Sequence, residues 1–315
     1  MTGQPIATER ALVTGAAGFV GGHLWRQLLA AGVHATGLDA APSRRGVPEG
    51  ARFIEVDIRN AEAVRRAVLQ VRPDVVYHLA AQASVVVSMR EPVLDVETNV
   101  LGSIHLAQAA IEAGARRFVF FSTGGALFGA PEVIPVTEDT PGRPLSVYGA
   151  SKLAAERYLE LLCAPTSMTL SVVRPGNIYG PWQDPHGEAG VVAIFAQRML
   201  ANEPVTIFGD GSQRRDYVYV DDVVDAAVRA AASEAGTCLI GTGVATSTRE
   251  VFDAIAAASN YERPPVFGPE RAGDIPRIAQ DASRAAALWG WAPRVAFDDG
   301  IARTVEFFRQ QQGQR

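Results

Sequence analysis

A tyrosine and a lysine four positions apart, Tyr148 and Lys152 in the run Ser146-Val-Tyr148-Gly-Ala-Ser-Lys152, carry the most chemistry in this chain of 315 residues. On a helix, residues i and i+4 share a face. An ammonium held beside a phenol favours the phenolate and lowers the phenol pKa. A phenolate accepts the proton of an alcohol, and removing that proton is half of oxidising the alcohol by hydride transfer. Tyr-x-x-x-Lys alone is an ordinary helix-surface pattern, so the other half, a hydride acceptor, must be sought elsewhere.

It is found near the start. Ala11-Leu-Val-Thr14 is a short apolar run ending at Gly15, the pattern of a buried strand. Gly18 and Gly21 follow, then a helical stretch over 23–31 closed by Gly32. Strand, glycine turn and helix, in that order, make a dinucleotide-binding turn. Glycines let the backbone approach a pyrophosphate, which the helix N-terminus then holds with its amides and dipole. The spacing is Gly-x-x-Gly-x-x-Gly rather than Gly-x-Gly-x-x-Gly. Asp39 ends the next apolar segment, 18 residues after Gly21. A carboxylate there accepts hydrogen bonds from ribose hydroxyls and repels a 2′-phosphate, which favours NAD over NADP. Arg44 and Arg45 lie close enough to soften that preference, unless they belong to a solvated loop. Phe53-Ile-Glu-Val-Asp57-Ile58 reads as a third strand ending in an acid. Asp57 and Ile58 would flank the adenine, or Asp57 would cap the helix that starts near Asn60.

These residues need a scaffold, and the first half supplies an alternating one. Strands are expected at 11–14, 34–38, 53–56, 75–79, 118–121 and 169–174, and helices at 20–31, 60–71, 94–113 and 148–162. Such alternation predicts a doubly wound, Rossmann-like α/β fold with a parallel sheet. Ligands of such sheets bind beyond the carboxyl ends of the strands. Gly15, Asp39, Leu79-Ala80-Ala81, Ser122-Thr123 and Arg174-Pro175 all fall at strand ends, so they converge on one crevice. Residues 1–175 are expected to form the nucleotide-binding domain. After Pro175 the pattern becomes less regular, with helices near 190–200, 221–232, 248–258 and 298–311. Residues 176–315 are expected to form a smaller mixed α/β lobe that selects the substrate, with returning segments joining the main sheet.

The totals exclude several classes. The chain has 29 basic and 34 acidic residues, net −5, and no basic run, which argues against nucleic acid. Cys163 and Cys238 are the only cysteines and the five histidines are scattered, so no metal spacing or disulfide framework is expected. The first ten residues are mixed polar and no 18-residue apolar stretch occurs, so the expectation is a cytoplasmic protein without a membrane partner.

Taken together, the glycine turn, Asp39, Tyr148 and Lys152 resemble the extended short-chain dehydrogenase/reductase family, in its nucleotide-sugar branch, with the nearest likeness to the UDP-glucose 4-epimerase group. The likeness covers nearly the whole chain. Arg174-Pro-Gly-Asn177-Ile-Tyr-Gly-Pro181 is similar to the segment whose Asn contacts the sugar nucleotide. The run over 183–192, with Val191, resembles the loop and helix over the pyrophosphate and uridine. In Phe208-Gly-Asp-Gly211-Ser-Gln-Arg-Arg215, Arg215 matches a diphosphate ligand. Arg271-Ala-Gly-Asp274 resembles a late turn whose Arg pairs with the diphosphate and whose Asp holds the ribose. Forked guanidinium donors suit that task.

The resemblance implies a cofactor, NAD, bound by Gly15, Gly18, Phe19, Val20, Gly21, Asp39, Asp57, Ile58, Leu79, Ala80, Ala81, Asn99, Ser122, Tyr148 and Lys152. It implies a UDP-sugar substrate epimerised through a transient 4-keto sugar, with Tyr148 as base and Lys152 keeping the phenol pKa low. It also implies a homodimer formed by the helices over 94–113 and 148–162. The first carries Val100, Ile104, Ala107, Ala110 and Ile111 at helical spacing, a stripe that packing on the sheet also requires.

Four departures stand out. Gly124 occupies the place of a Ser or Thr that holds the sugar 4-oxygen, so Thr123, or else Ser122, is expected to supply the hydroxyl. The alternative is that both simply end the strand. Phe128 replaces a commoner Tyr, as a packing change. Trp182 replaces an Arg near the substrate entrance. Ile278 lies near a wall position that governs room for a 2-acetamido group, unless it is a packing residue.

Competing readings are a UDP-GlcNAc or UDP-uronate epimerase, a 4,6-dehydratase, a UDP-glucuronate decarboxylase, a cofactor-releasing reductase and, from another class, a non-catalytic dinucleotide sensor. A dehydratase places an Asp-Glu pair where this chain has Gly125 and Ala126. A decarboxylase needs a Glu that is missing between Ser122 and Pro131. A sensor typically lacks the Tyr or the Lys, and both are present.

Overall fold

The computed structural model describes residues 9–42, 46–186, 190–270 and 275–313. A seven-stranded parallel sheet forms its centre, with strand order β10-β6-β5-β4-β1-β2-β3. The strands are β1 (Arg10–Thr14), β2 (His34–Asp39), β3 (Arg52–Glu55), β4 (Val75–His78), β5 (Arg117–Phe121), β6 (Thr169–Pro175) and β10 (Thr237–Ile240). The order reverses on either side of β1, as in doubly wound sheets. The register pairs Thr14 with His78, His78 with Phe120, Phe121 with Val173 and Arg174 with Leu239. The strands therefore end in line, and the crevice opens beyond them. The seventh strand, β10, comes from the second half of the chain and pairs with β6.

Central parallel strands are covered on both faces, and their residues show it by alternating between two cores. Leu12, Val76, Phe118, Phe120 and Val172 face one side, with Leu106 and Leu159. Val13, Tyr77, Val119 and Val173 face the other, with Trp25 and Leu28. The first face is covered by α2 (Ala61–Val71), α5 (Gly102–Glu112) and α6 (Val147–Cys163); α1 (Phe19–Ala30) and α8 (Val220–Ala232) pack on the second. Ahead of α5 come α3 (Val85–Arg90), α4 (Pro92–Val96) and a π-helical turn (Glu97–Leu101). The single helix expected over 94–113 is thus interrupted, and the π turn lies where Asn99 is buried.

The remaining elements are small. A three-stranded sheet joins β7 (Asn177–Tyr179), β9 (Arg214–Tyr219) and β11 (Ala245–Ser247), and a two-stranded one joins β8 (Thr206–Phe208) to β12 (Val266–Gly268). Around them lie α7 (Val191–Leu200), α9 (Thr248–Ser259), α10 (Ser283–Trp289) and α11 (Phe297–Gly313). Among the described residues no helix is long and apolar enough to cross a membrane. Cys163 and Cys238 are buried and unpaired.

Candidate active site

A cavity of about 1200 Å³ lies beyond the carboxyl ends of the strands. Its floor is the β1–α1 turn. Gly15 has φ +71°, and a Cβ there would lie 2.7 Å from the Ala80 amide nitrogen; a Cβ on Gly21 would lie 2.0 Å from the Gly15 carbonyl oxygen. Only glycine fits either place. Helix α1 begins after Gly18 with no side-chain cap and no acidic residue in its first turn. Phe19, Val20 and Gly21 of its first turn line the cavity, so the helix start meets it as an anion site. Asp39 lines the same cavity and accepts hydrogen bonds from the amides of Ala17 (3.0 Å) and Ala40 (2.8 Å). Burial raises its pKa, against those backbone donors.

Phe19, Val20, Leu79, Ala80, Ala81, Ile58 and Asp57 also line the cavity. Asp57 does not cap α2: Asn60 does, accepting from the Ala63 amide at 3.1 Å, while Asp57 forms a forked pair with Arg59. The Asn amide oxygen at the N-cap position makes a second cap unnecessary.

At the other end, Ser122, Thr123, Tyr148 and Lys152 line the same space. Ser146 caps α6 by accepting from the Gly149 amide at 3.1 Å, so Tyr148 sits in the first turn and Lys152 one turn later. A Cβ on Gly149 would lie 2.4 Å from the Ala126 carbonyl oxygen, so the helix start abuts the turn that follows β5. There Thr123 accepts from the Gly125 amide at 3.2 Å, and its hydroxyl is close enough to Tyr148 to favour the phenolate. Ser122 Oγ is buried with no partner. Thr123 is thus the hydroxyl in contact with Tyr148.

Gly124 cannot be a serine here. Its Cβ would lie 2.8 Å from the Arg174 carbonyl oxygen and 3.1 Å from Gln280 Cγ.

Burial dominates the electrostatics of the Tyr148–Lys152 pair. Burial pushes Tyr148 up to about 12, the Asp95 carboxylate adds to that, and the Thr123 hydrogen bond opposes it. Burial pushes Lys152 down to about 7, against Glu156 and Asp95, which favour its charged form. The Lys152 ammonium lies 4.1 Å from the centre of the Phe120 ring. Desolvation outweighs pairing for both groups. Glu156 itself is fixed by a forked ion pair with Arg174, at 3.0 and 2.5 Å, which ties α6 to the end of β6.

Asn99 is 1 % exposed and sits one layer behind the lining. Its amide donates to Gln82 O (3.0 Å), Asp95 Oδ1 (3.2 Å) and Ser151 Oγ (3.1 Å), and its oxygen accepts from the Gln82 amide (2.9 Å). The chain of bonds continues to His78. Ser103 Oγ donates to the Asn99 carbonyl, so it accepts from His78 Nε2; with the ring proton on Nε2, Nδ1 of the neutral imidazole accepts from Thr14 Oγ1. Burial, then the Lys152 charge, hold this histidine down at about 3, so it stays neutral.

The substrate-side residues are less convergent. Asn177 lies beside the catalytic turn, its Oδ1 3.3 Å from where a Gly125 Cβ would stand. Val191 starts α7. Arg215, on β9, donates to the Ile275 carbonyl and, at 3.0 Å, to that of Arg214. None of these three lines the cavity. Arg271 and Asp274, like Arg44 and Arg45, lie outside the described residues. Ile278 is a packing residue: it is fully buried with Leu127, Phe128, Val136 and Leu239, away from the cavity. Phe128 packs in the same cluster. Trp182 lines the cavity at φ +71°, its ring 4.5 Å from that of His23 and 5.2 Å from the Arg26 guanidinium. Its own position brings no cation, but α1 supplies one. Phe307, Phe308, Gln311 and Gln312 of α11 also reach the cavity, and no sequence signal separates them from an ordinary amphipathic helix.

Residues 11–241 match the NAD dependent epimerase/dehydratase family. The chain belongs to that family. Its cofactor is NAD, and the uncapped start of α1, the two glycines with no room for a side chain and the orphan Ser122 hydroxyl fit a dinucleotide. The chain is 46% identical over 311 residues to a protein named UDP-glucose 4-epimerase from Mycolicibacterium smegmatis, covering 96% of this chain and 99% of that one. A structure of the Thermotoga maritima UDP-glucose 4-epimerase with UDP-glucose superposes with TM-score 0.94 at 42% identity, covering 96% and 99%. The Thermus thermophilus UDP-glucose 4-epimerase in complex with NAD gives 0.90 at 46% identity, covering 95% and 99%. As a member of this epimerase/dehydratase family the chain is an enzyme, which removes the sensor reading.

Proposed function

We propose that this enzyme is an NAD-dependent UDP-glucose 4-epimerase. The observation that carries the reading is that Tyr148, Thr123 and the buried Lys152 line one cavity with the dinucleotide turn. The relatives named above support the substrate. Tyr148 takes the proton of the sugar 4-hydroxyl as general base. Thr123 pulls its phenol toward ionisation and holds the 4-oxygen in reach. Lys152 supplies a positive charge between Tyr148 and the nicotinamide end. NAD, when bound, would supply a reversible hydride acceptor for C4, the chemistry that a transient 4-keto sugar requires. Asn177, Val191 and Arg215, with Arg271 and Asp274, are the substrate-binding residues in this reading. Residues 1–175 are taken as the NAD-binding domain, joined by β10, and 176–315 as the substrate lobe.

Two further assignments complete the proposal. The enzyme is placed in the cytoplasm, in keeping with its two unpaired buried cysteines. It is also taken as a homodimer. Met89, Val93, Val96, Leu101, Tyr158 and Leu161 are exposed on α3, α4, the π turn and α6, and apolar helix surface of this kind suits an isologous four-helix contact.

Proton NMR of UDP-glucose incubated with purified protein and no added cofactor tests the reading. UDP-galactose anomeric signals are expected. Unchanged UDP-glucose in the presence of protein that still releases NAD on denaturation would overturn the substrate assignment.

A further inference from the structure

Gln280 is fully buried, yet no step described above uses it. Its side chain fills a slot made by glycines at the ends of three adjacent strands: Gly124 after β5, Gly176 after β6 and Gly241 after β10. A Cβ on Gly124 would lie 3.1 Å from Gln280 Cγ, one on Gly176 2.7 Å from its Oε1, and one on Gly241 2.8 Å from its Cβ. Any larger residue at these places would press on the glutamine. The slot is thus shaped for one side chain.

Both ends of Gln280 are tied. Its Nε2 donates to the Gly124 carbonyl at 3.0 Å, and its backbone amide donates to Asp216 Oδ2 at 3.1 Å. Asp216 is itself buried, and accepts from the Thr242 amide and hydroxyl (2.8 and 2.7 Å) and from the Gly243 amide (2.9 Å). The anchor is therefore firm. The side-chain oxygen of Gln280 is buried with no partner. An apolar side chain would avoid the cost of an unmet buried polar group. The amide is tolerated for its donor, and the donor acts on one acceptor, the Gly124 carbonyl.

That carbonyl belongs to the catalytic turn. The Ser122 amide donates to the Val173 carbonyl at 2.8 Å and the Gly124 amide to the Pro175 carbonyl at 2.6 Å. These bonds hold one edge of the turn to β6. Gln280 holds the Gly124 carbonyl, whose peptide plane also carries the Gly125 amide that donates to Thr123 Oγ1. We propose that Gln280 is a positioning residue for catalysis, holding the Gly124 carbonyl so that the Thr123 hydroxyl stays against Tyr148. The proposal rests on the epimerase reading. Displacement of a reacting group by about 1 Å can cost up to about 100-fold in rate.

A double-mutant cycle tests it on the NAD-loaded enzyme, with Gln280→Met, which keeps length without the donor, and Thr123→Ala. Wild-type turnover of UDP-glucose is measured first; its absence would sink the epimerase reading rather than this one. With turnover present, Gln280→Met is expected to lower kcat about 10-fold, leave KM within about 2-fold, and shift the acid limb of the kcat–pH profile toward alkaline pH, the same direction as is expected for Thr123→Ala. In the Thr123→Ala background the same change should cost less than about 2-fold. An equal kcat loss in both backgrounds, an unshifted pH limb, or no loss in the wild-type background would overturn the proposal. Gln280→Asn, whose amide is too short to reach Gly124, gives the same reading if the Met variant does not fold.

Discussion

On the cofactor side of the cleft the chain comes so close to itself that side chains are excluded: a single added carbon on Gly21 would sit 2.0 Å from the Gly15 carbonyl oxygen. On the reacting side the work falls to side-chain atoms, namely the Tyr148 phenol, the Thr123 hydroxyl and the Lys152 ammonium, each set by burial and by the polar or charged groups around it. Backbone recognition of a pyrophosphate needs shape, and shape is lost by adding an atom. Proton transfer needs a particular oxygen, and it is lost by removing one. The two ends of one cavity should therefore fail in opposite ways.

The largest effect separates them directly. Tyr148→Phe removes one oxygen and should lower kcat by about 1000-fold or more. Bound NAD, measured after denaturation, should stay near one per chain, and the melting temperature should hold. Loss of NAD together with activity would show that Tyr148 is needed for the cofactor site as well, and the division would break.

Gly21→Ala adds one carbon at the opposite end. It should weaken NAD retention by about 100-fold or more, since the Gly15 backbone has to move to admit it. Excess NAD should restore a large part of the wild-type rate, because the proton-transfer groups are untouched. A variant that holds NAD normally but turns over slowly would contradict the assignment of the glycine turn to the cofactor alone.

The same contrast explains what the sequence disclosed. Backbone-built features leave compositional marks: glycines at fixed offsets, apolar runs ending in Asp39 or Ser122, alternation of strands and helices. The six strands expected in the first half appear within a residue or two of their places, and the cofactor residues expected there, Asn99 apart, line one cavity. The Tyr148–Lys152 pair was legible because a helix fixes its spacing. The balance of forces on it was not. Burial depends on what packs around the pair, so the direction of the Tyr148 shift emerged only from the structure. Asp95 and Gln280 act through partners 53 and 156 positions away, and no local pattern marks such pairs. Short elements such as α3, β7 and α10 carry too few residues for periodicity to resolve. The share of α11 in the cavity is a matter of where a helix docks, which its own sequence does not state.

Within the reacting wall, structural and chemical roles can be split further. Glu156 is 1 % exposed and pairs with Arg174 across α6 and β6, but does not line the cavity. Glu156→Gln keeps the shape and loses the charge. Urea unfolding should show a loss of about 2 kcal/mol, with kcat changed by less than about 3-fold at 25 °C. A fall in kcat beyond that, without a stability loss, would show that Glu156 acts mainly through the charge of Lys152 rather than as a tie between elements.

The smallest effect concerns Lys152 in cofactor-free protein, and its sign follows from linkage. Burial lowers the folded-state pKa to about 7 from the usual value of 10.5. Below pH 7 folded and unfolded chains both carry the proton, and the folded state bears the full cost of a buried ammonium. Between pH 7 and 10.5 the unfolded chain still holds the proton while the folded one sheds it, so this group makes stability rise with pH across that window. Lys152→Met removes the charge at every pH. The variant should therefore melt a few degrees above the wild type at pH 6, with the gain shrinking as pH rises from 7 toward 10. Burial pushes Tyr148 up to about 12, so the folded protein keeps its phenol proton between pH 6 and 9. A melting difference that stays constant from pH 6 to 9 would mean that Lys152 remains charged throughout. The reacting wall would then hold a stable ammonium, matched by Glu156 and Asp95, and pairing rather than desolvation would govern that end of the cleft.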